Sequence, residues 1–187
     1  MPRTWLSIRV DLVAGRGEDL WPRPGRIFAA SRSNTFKQLA EAIDDGFARW
    51  DRSHLHEFFF ADGHRIGMPD LDDEDPAPLH DYHRERLGRL GLGEQFAYVF
   101  DFGDDWQHLC TVAPQRIDPV KVLGILPHQP LPYWGRGDIP DQYGRRWDSD
   151  DGESALPRNP QGRDLPNLRP WAHRRNIIAE SRRHSTE

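Results

Sequence analysis

Aromatic side chains at Phe96, Tyr98, Phe100 and Phe102 recur with a strict period of two. Successive strand residues point to opposite faces, so this spacing predicts a strand with one wholly aromatic face. Gly103-Asp104-Asp105 then turns the chain, and Trp106, His108, Cys110 and Val112 resume the alternation. The pattern predicts a β-hairpin, 96–102 against 106–113, with carboxylates gathered in its turn.

The rest of the chain predicts what the hairpin joins. Leu6, Ile8, Val10 and Leu12 alternate with Trp5, Ser7, Arg9 and Asp11, which marks residues 5–13 as a half-buried strand. A second strand is expected over 26–30, after Pro22 and Pro24 have removed ladder donors just before it. Ser33, Asn34 or Thr35 caps a helix whose apolar stripe is Phe36, Leu39, Ala40, Ile43 and Phe47. Residues 54–60 and 64–66 read as strands joined through Asp62-Gly63, a hairpin-type dipeptide. An acidic loop is expected over 67–78, a short helix over 79–90, a mostly Pro/Gly loop with short elements over 114–165, and a helix over 168–183 with Pro170 in its first turn. This order of elements predicts an α+β fold: a largely antiparallel, mixed sheet with the first helix packed across one face. One α+β domain is expected over 1–153, with a basic C-terminal segment, 154–187, docked on it. The βαβ rhythm and phosphate-loop glycines of a nucleotide-binding doubly wound fold are absent.

Composition narrows the function classes. Only 36% of the 187 residues are hydrophobic, and 16 Pro, 16 Gly and 29% charge imply long loops around a modest core. Seven Trp and nine Phe offset this, because each ring buries a large area. A single cysteine, Cys110, excludes an intrachain disulfide and fits a reducing cytoplasm. No apolar run reaches membrane-spanning length and no signal-peptide pattern opens the chain, so a cytoplasmic protein without a membrane partner is expected. The net charge of −5 disfavours nucleic-acid binding by the surface as a whole. The charge is uneven, however. Residues 62–75 and 148–153 are acidic, whereas 158–183 carries Arg158, Arg163, Arg169, Arg174, Arg175, Arg182 and Arg183. Such blocks are usually solvated faces or tails; here the arginines are expected to dock on the acidic loops, with a nucleic-acid contact as the sharper alternative.

Three segments, in order, resemble the plasmid ORF-three-like family first named from an Agrobacterium Ri plasmid. They are TFKQLAEAIDDGFARWDRSHLHEFFF (35–60), YVFDFGDDWQH (98–108) and WGRGDIPDQYGRRW (134–147). The resemblance implies a mobile-element setting, that of insertion-element passenger proteins, and unknown function. Many relatives carry cysteines around the last segment; this chain has none there, so a thiolate metal site does not transfer. Relatives also carry a resolvase-type label. A serine recombinase needs a nucleophilic serine on an N-terminal α/β domain, and Ser7, Ser31 and Ser33 lie on a strand and before a helix without that context.

Candidate chemistry centres on histidines and carboxylates. His54 and His56 are one residue apart on an expected strand, so both project from one face. With Asp104 and His108 they make an N/O set of the kind zinc or manganese accepts, which is the candidate divalent-metal site. Against it, Asp residues in turns commonly accept only backbone amides, and His56 reads equally as a satisfied half-buried histidine. His80 and His83 share a helical face but lack the glutamate of a His-Glu-x-x-His protease. Cys110 is expected to be an inert buried thiol. A binding surface is expected from Asp101, Asp105, Trp106, Tyr133, Trp134, Arg136, Tyr143 and Arg145, whose rings and guanidiniums suit base stacking and phosphate contact or simple loop packing. The favoured role is a non-catalytic binding or accessory module for an unidentified ligand or protein. The rivals are a metal-dependent, hydrolase-like enzyme and a nucleic-acid-contacting accessory protein.

Overall fold

A computed structural model describes residues 5–69, 78–145 and 150–152. They fall into two compact units: the chain up to Ile43 with Ser53–Gly137, and Asp44–Arg52 with the chain from Asp138 onward. The boundary expected at 153/154, the basic segment and the 168–183 helix lie outside the described residues.

The first unit is an open mixed sheet of nine strands among the described residues. In chain order these are β1 (Trp5–Gly15), β2 (Glu18–Asp19), β3 (Gly25–Ser31), β4 (His56–Phe60), β5 (Arg65–Gly67), β6 (Leu79–Asp81), β7 (Gln95–Phe100), β8 (Trp106–Val112) and β9 (Leu131–Arg136), with helices α1 (Phe36–Gly46) and α2 (Pro119–Leu123). The spatial order is β6-β5-β4-β7-β8-β1-β3-β9, with β2 on β1. Only β5 and β6 run parallel; the other pairs are antiparallel.

Cross-strand register assembles the core from the alternation in sequence. On one face, Phe60, Phe96, Cys110 and Val10 form a row, followed by Phe58, Tyr98, His108 and Leu12, then His56, Phe100 and Trp106. All but His56 are buried. Ring pairs at this spacing add to the stabilisation from burial. Phe36, which opens α1, meets Phe58, Phe60 and Phe96 edge-on at 5.1, 5.9 and 6.2 Å. Of the three possible caps the structure selects Thr35. Its Oγ1 accepts from the Gln38 N–H at 3.2 Å, and Gln38 Oε1 accepts from the Thr35 N–H at 2.9 Å, a reciprocal capping box.

Two expectations need correction. The aromatic period of two stops at Phe100: Asp101 takes φ 58°, the strand ends, and Phe102 is 47% exposed instead of completing the face. The short helix expected over 79–90 is instead β6, paired parallel with β5, then a turn and a single 3-10 turn at Leu87–Arg89. Asp81 Oδ1 accepts from the His83 N–H at 2.9 Å, and this local alternative competes with helix formation. The short elements expected within the loop from 114 onward are α2 and the edge strand β9. The α2 start is set by Asp118, whose carboxylate accepts from the Val120 N–H, with Pro119 at the first helical position. No helix among the described residues is long and apolar enough to cross a membrane.

Candidate functional site

The hairpin mouth is organised by Asp101. Its backbone N–H donates to the Leu55 carbonyl at 2.9 Å, which ties the turn to the approach of β4. Its Oδ1 accepts from the N–H groups of Gly103 and Asp104 at 3.0 and 3.3 Å. Aspartate is among the few residues that tolerate the left-handed region, because its short side chain bonds locally in this way. Its other oxygen, Oδ2, lies 3.2 Å from His54 Nδ1. One buried carboxylate therefore shapes the turn and fixes the half-buried His54 imidazole. A carboxylate at Nδ1 sets the tautomer and directs Nε2 away from the pair. Leu55 and Phe102, the chain neighbours of His54 and Asp101, are 46% and 47% exposed.

The remaining candidates are placed individually rather than gathered. His56 has Nδ1 3.2 Å from the His54 carbonyl, and its ring lies among Tyr82, Tyr98 and Phe100 at 5.5, 5.9 and 6.2 Å. Asp104 pairs with Arg16 at 3.3 Å, while its carbonyl accepts from the Arg16 N–H at 2.6 Å. Asp105 accepts from Gln107. Trp106 is buried over Gly15, where a Cβ would come within 2.1 Å of the indole. His108 is buried in the sheet face, with Nδ1 3.2 Å from the Tyr98 carbonyl. The structure thus does not bring His54, His56, Asp104 and His108 together. The left-handed residue at 101 carries Asp104 toward the β1–β2 turn, and Tyr98 packs against both the His56 and His108 rings. Among the described residues no three His, Cys, Asp or Glu side chains are arranged to hold a metal ion.

Of the other histidines, His83 faces Asp81 at 3.1 Å, whereas His80 stacks on His64 with ring centroids 4.0 Å apart. Partial burial, the Arg89 guanidinium and the His80 ring hold His64 below its ordinary pKa. Burial, followed by the charge of Asp11, pushes the Cys110 thiol far above the usual range, consistent with an inert residue.

The expected 133–147 cluster is divided between the two units. In the second unit, Arg145 holds Asp141 with an N–O distance of 2.8 Å and lies 4.3 Å over the Trp50 ring. Tyr143 donates its hydroxyl to Asp51 at 2.8 Å and meets Trp50 edge-on. Burial raises the Asp141 pKa, but hydrogen bonds from Arg145 and Tyr143 outweigh it and hold the carboxyl below its ordinary range. Tyr143 and Arg145 therefore serve the packing of their own unit. In the first unit, Tyr133 shares a 2.7 Å hydrogen bond with Ser7, and Arg136 reaches Asp11 at 3.1 Å. Arg9, Asp11 and Leu55 are members of these arrangements that the motifs did not flag. The polar phase of β1, in which Ser7, Arg9 and Asp11 alternate, was the one signal in the sequence for the first two.

The family model for plasmid pRiA4b ORF-3-like protein matches residues 8–147. The chain belongs to that family. Among solved structures, a protein of unknown function from Methanosarcina mazei Go1, MM3350, superposes with a TM-score of 0.56 at 23% identity, covering 76% of each chain. That likeness shows that the ORF-3-like fold is shared. No curated protein matches the chain.

Proposed function

We propose that this ORF-3-like protein is a non-catalytic binding or accessory module of a mobile element, acting in the cytoplasm, and that its recognition patch is the hairpin mouth. One observation carries the reading: the His54–Asp101 pair is flanked in the chain by two large, exposed apolar residues, Leu55 and Phe102, and the Asp101 N–H is bonded to the Leu55 carbonyl. Recognition sites combine exposed apolar side chains with a small number of fixed polar groups. The aromatic face, braced by Phe36 at the start of α1, acts as rigid support. In this reading neither zinc nor manganese takes part, and titrating either ion should leave the melting temperature unchanged. A rise in stability with metal concentration would instead favour the metal-dependent enzyme.

The test is photocrosslinking in the native host, with a photoreactive phenylalanine at position 102 and a control at Met68, which is also exposed. A discrete adduct at 102 that is missing at 68, and lost on His54→Ala, is the expected result. Indistinguishable adducts from both positions would remove the hairpin mouth as the patch.

A further inference from the structure

On the face of the sheet opposite the aromatic core, β1, β3 and β9 present a compact cationic and aromatic surface. Its anchor is Asp11, a buried carboxylate. Arg9 Nε lies 2.7 Å from Asp11 Oδ2 and Arg136 Nη2 lies 3.1 Å from Asp11 Oδ1. The two guanidinium side chains remain 48% and 45% exposed. Each guanidinium has five N–H donors, and these contacts engage only some of them, so two half-exposed forks are held in place around one buried anion. The local charge is +1 on a chain whose net charge is −5.

The bridge from Arg136 to Asp11 crosses the whole of β3, and it depends on Gly25. In the register, Gly25 lies between Asp11 and Arg136. A Cβ there would come within 2.7 Å of Asp11 Oδ1 and 3.3 Å of Arg136 Nε. The aromatic part comes from an irregularity in the β3–β9 ladder. Ile27 pairs with Trp134 but Phe28 pairs with Pro132, which leaves Tyr133 as an extra residue. A bulge of this kind re-aims side chains. It lets Tyr133 reach Ser7 while Trp134 keeps the phase of Arg136. Trp134, 39% exposed, then shares a row with Ile27 and Arg9. Neighbouring strands are about 4.8 Å apart, so the Trp134 and Arg9 backbones are separated by roughly 10 Å with Ile27 between them.

We propose that this face binds a nucleotide, free or within a single strand, with the phosphate on Arg9 and Arg136 and the base on Trp134. Paired guanidinium forks match the phosphate oxygens, and an exposed indole stacks on any base. A single excess positive charge suits one or two phosphates rather than a long backbone. The logarithm of affinity should therefore fall with log salt at a slope of about −1. That distinguishes it from a contact through the arginines of 158–183, whose slope would be several times steeper. The proposal concerns a different face from the hairpin mouth and stands or falls independently of that patch.

The test is equilibrium titration of the full chain at physiological salt with adenosine monophosphate, uridine monophosphate, a thymidine octamer and inorganic phosphate. Arg9→Gln and Arg136→Gln should each weaken nucleotide binding about tenfold. Trp134→Ala should weaken nucleotide binding about tenfold and leave phosphate binding unchanged. Arg84→Gln, at an exposed arginine elsewhere, should change nothing. Tighter binding of the octamer than of either mononucleotide, with the same response to the variants, identifies a strand as the ligand; equal binding identifies the free nucleotide. The proposal is overturned if no nucleotide probe saturates at millimolar concentration, if inorganic phosphate binds as tightly as the nucleotides, or if Arg136→Gln and Trp134→Ala, both shown to fold by chemical melts, bind like the parent.

Discussion

Phe100 and Phe102 are two residues apart, of the same type, and in the same phase of the sequence, yet replacing each with alanine should have very different consequences. Phe100 is fully buried, paired across strands with His56 and Trp106, and its ring lies 6.0 Å from that of His54. Burying a phenyl group is worth about 1.5–3 kcal/mol. The ring leaves a void lined by His56 and Trp106, both fixed by the ladder, so the site collapses poorly and a cavity term adds to the loss. The expected total for Phe100→Ala is about 3–5 kcal/mol. Phe102 lies beyond the left-handed turn at Asp101 and is 47% exposed. Its truncation forfeits only part of the transfer term and opens no cavity, so Phe102→Ala should cost less than about 1 kcal/mol. Urea melts of both variants, followed by tryptophan fluorescence and far-UV circular dichroism, measure the difference through the shift in midpoint at unchanged slope. Equal losses for the two variants would refute the reasoning, because they would mean that the aromatic period continues through residue 102 and that Asp101 does not end the strand.

The same geometry makes further expectations. Asp101→Ala should cost roughly 1–3 kcal/mol in the same melts, since it orphans the turn amides of Gly103 and Asp104 and leaves alanine in a left-handed conformation. Asp101→Gly, which relieves the backbone, should cost less; the reverse order would show that the turn is not held as described. Cys110 should label slowly with a thiol reagent in the native protein and rapidly in denaturant, and fast native labelling would contradict its burial in β8. His64 should titrate below 6.5 when followed through its ring proton by NMR. Its folded pKa is lowered, so the unfolded chain takes up the proton first; stability should begin to fall as pH drops below 6.5, and His64→Gln should remove that component. A His64 titration at or above 6.5 would show that Arg89 and His80 do not face it.

Alternation along the chain already sets the aromatic and aliphatic phases of β1, β7 and β8, and with them the buried face. A period of two leaves only one way to put Leu6, Ile8, Val10 and Leu12 on one face of β1, and Trp106, His108, Cys110 and Val112 on one face of β8. The sequence narrowed the helix start to Ser33, Asn34 or Thr35, and the reciprocal bonds of Thr35 and Gln38 in the structure chose the last. Family membership was legible as well, in three segments whose order is preserved within the matched residues 8–147. What the sequence left undecided depends on partners distant in the chain. Leu79–Asp81 became a strand because β5 offered it a parallel edge, a contact that no local propensity encodes. Asp101 stood out in the sequence as one residue of a binding surface; the backbone at φ 58° and the Leu55 carbonyl make it the organiser of the turn, with His54 brought to its second oxygen. His56 and His108 could have faced one ion; the register set Tyr98 against both rings. The Arg9–Asp11–Arg136 arrangement joins residues more than a hundred positions apart, across a glycine whose purpose appears only when β1 and β9 flank it. Alternation along one strand fixes the face on which a side chain lies, but only the pairing of strands fixes what it meets there.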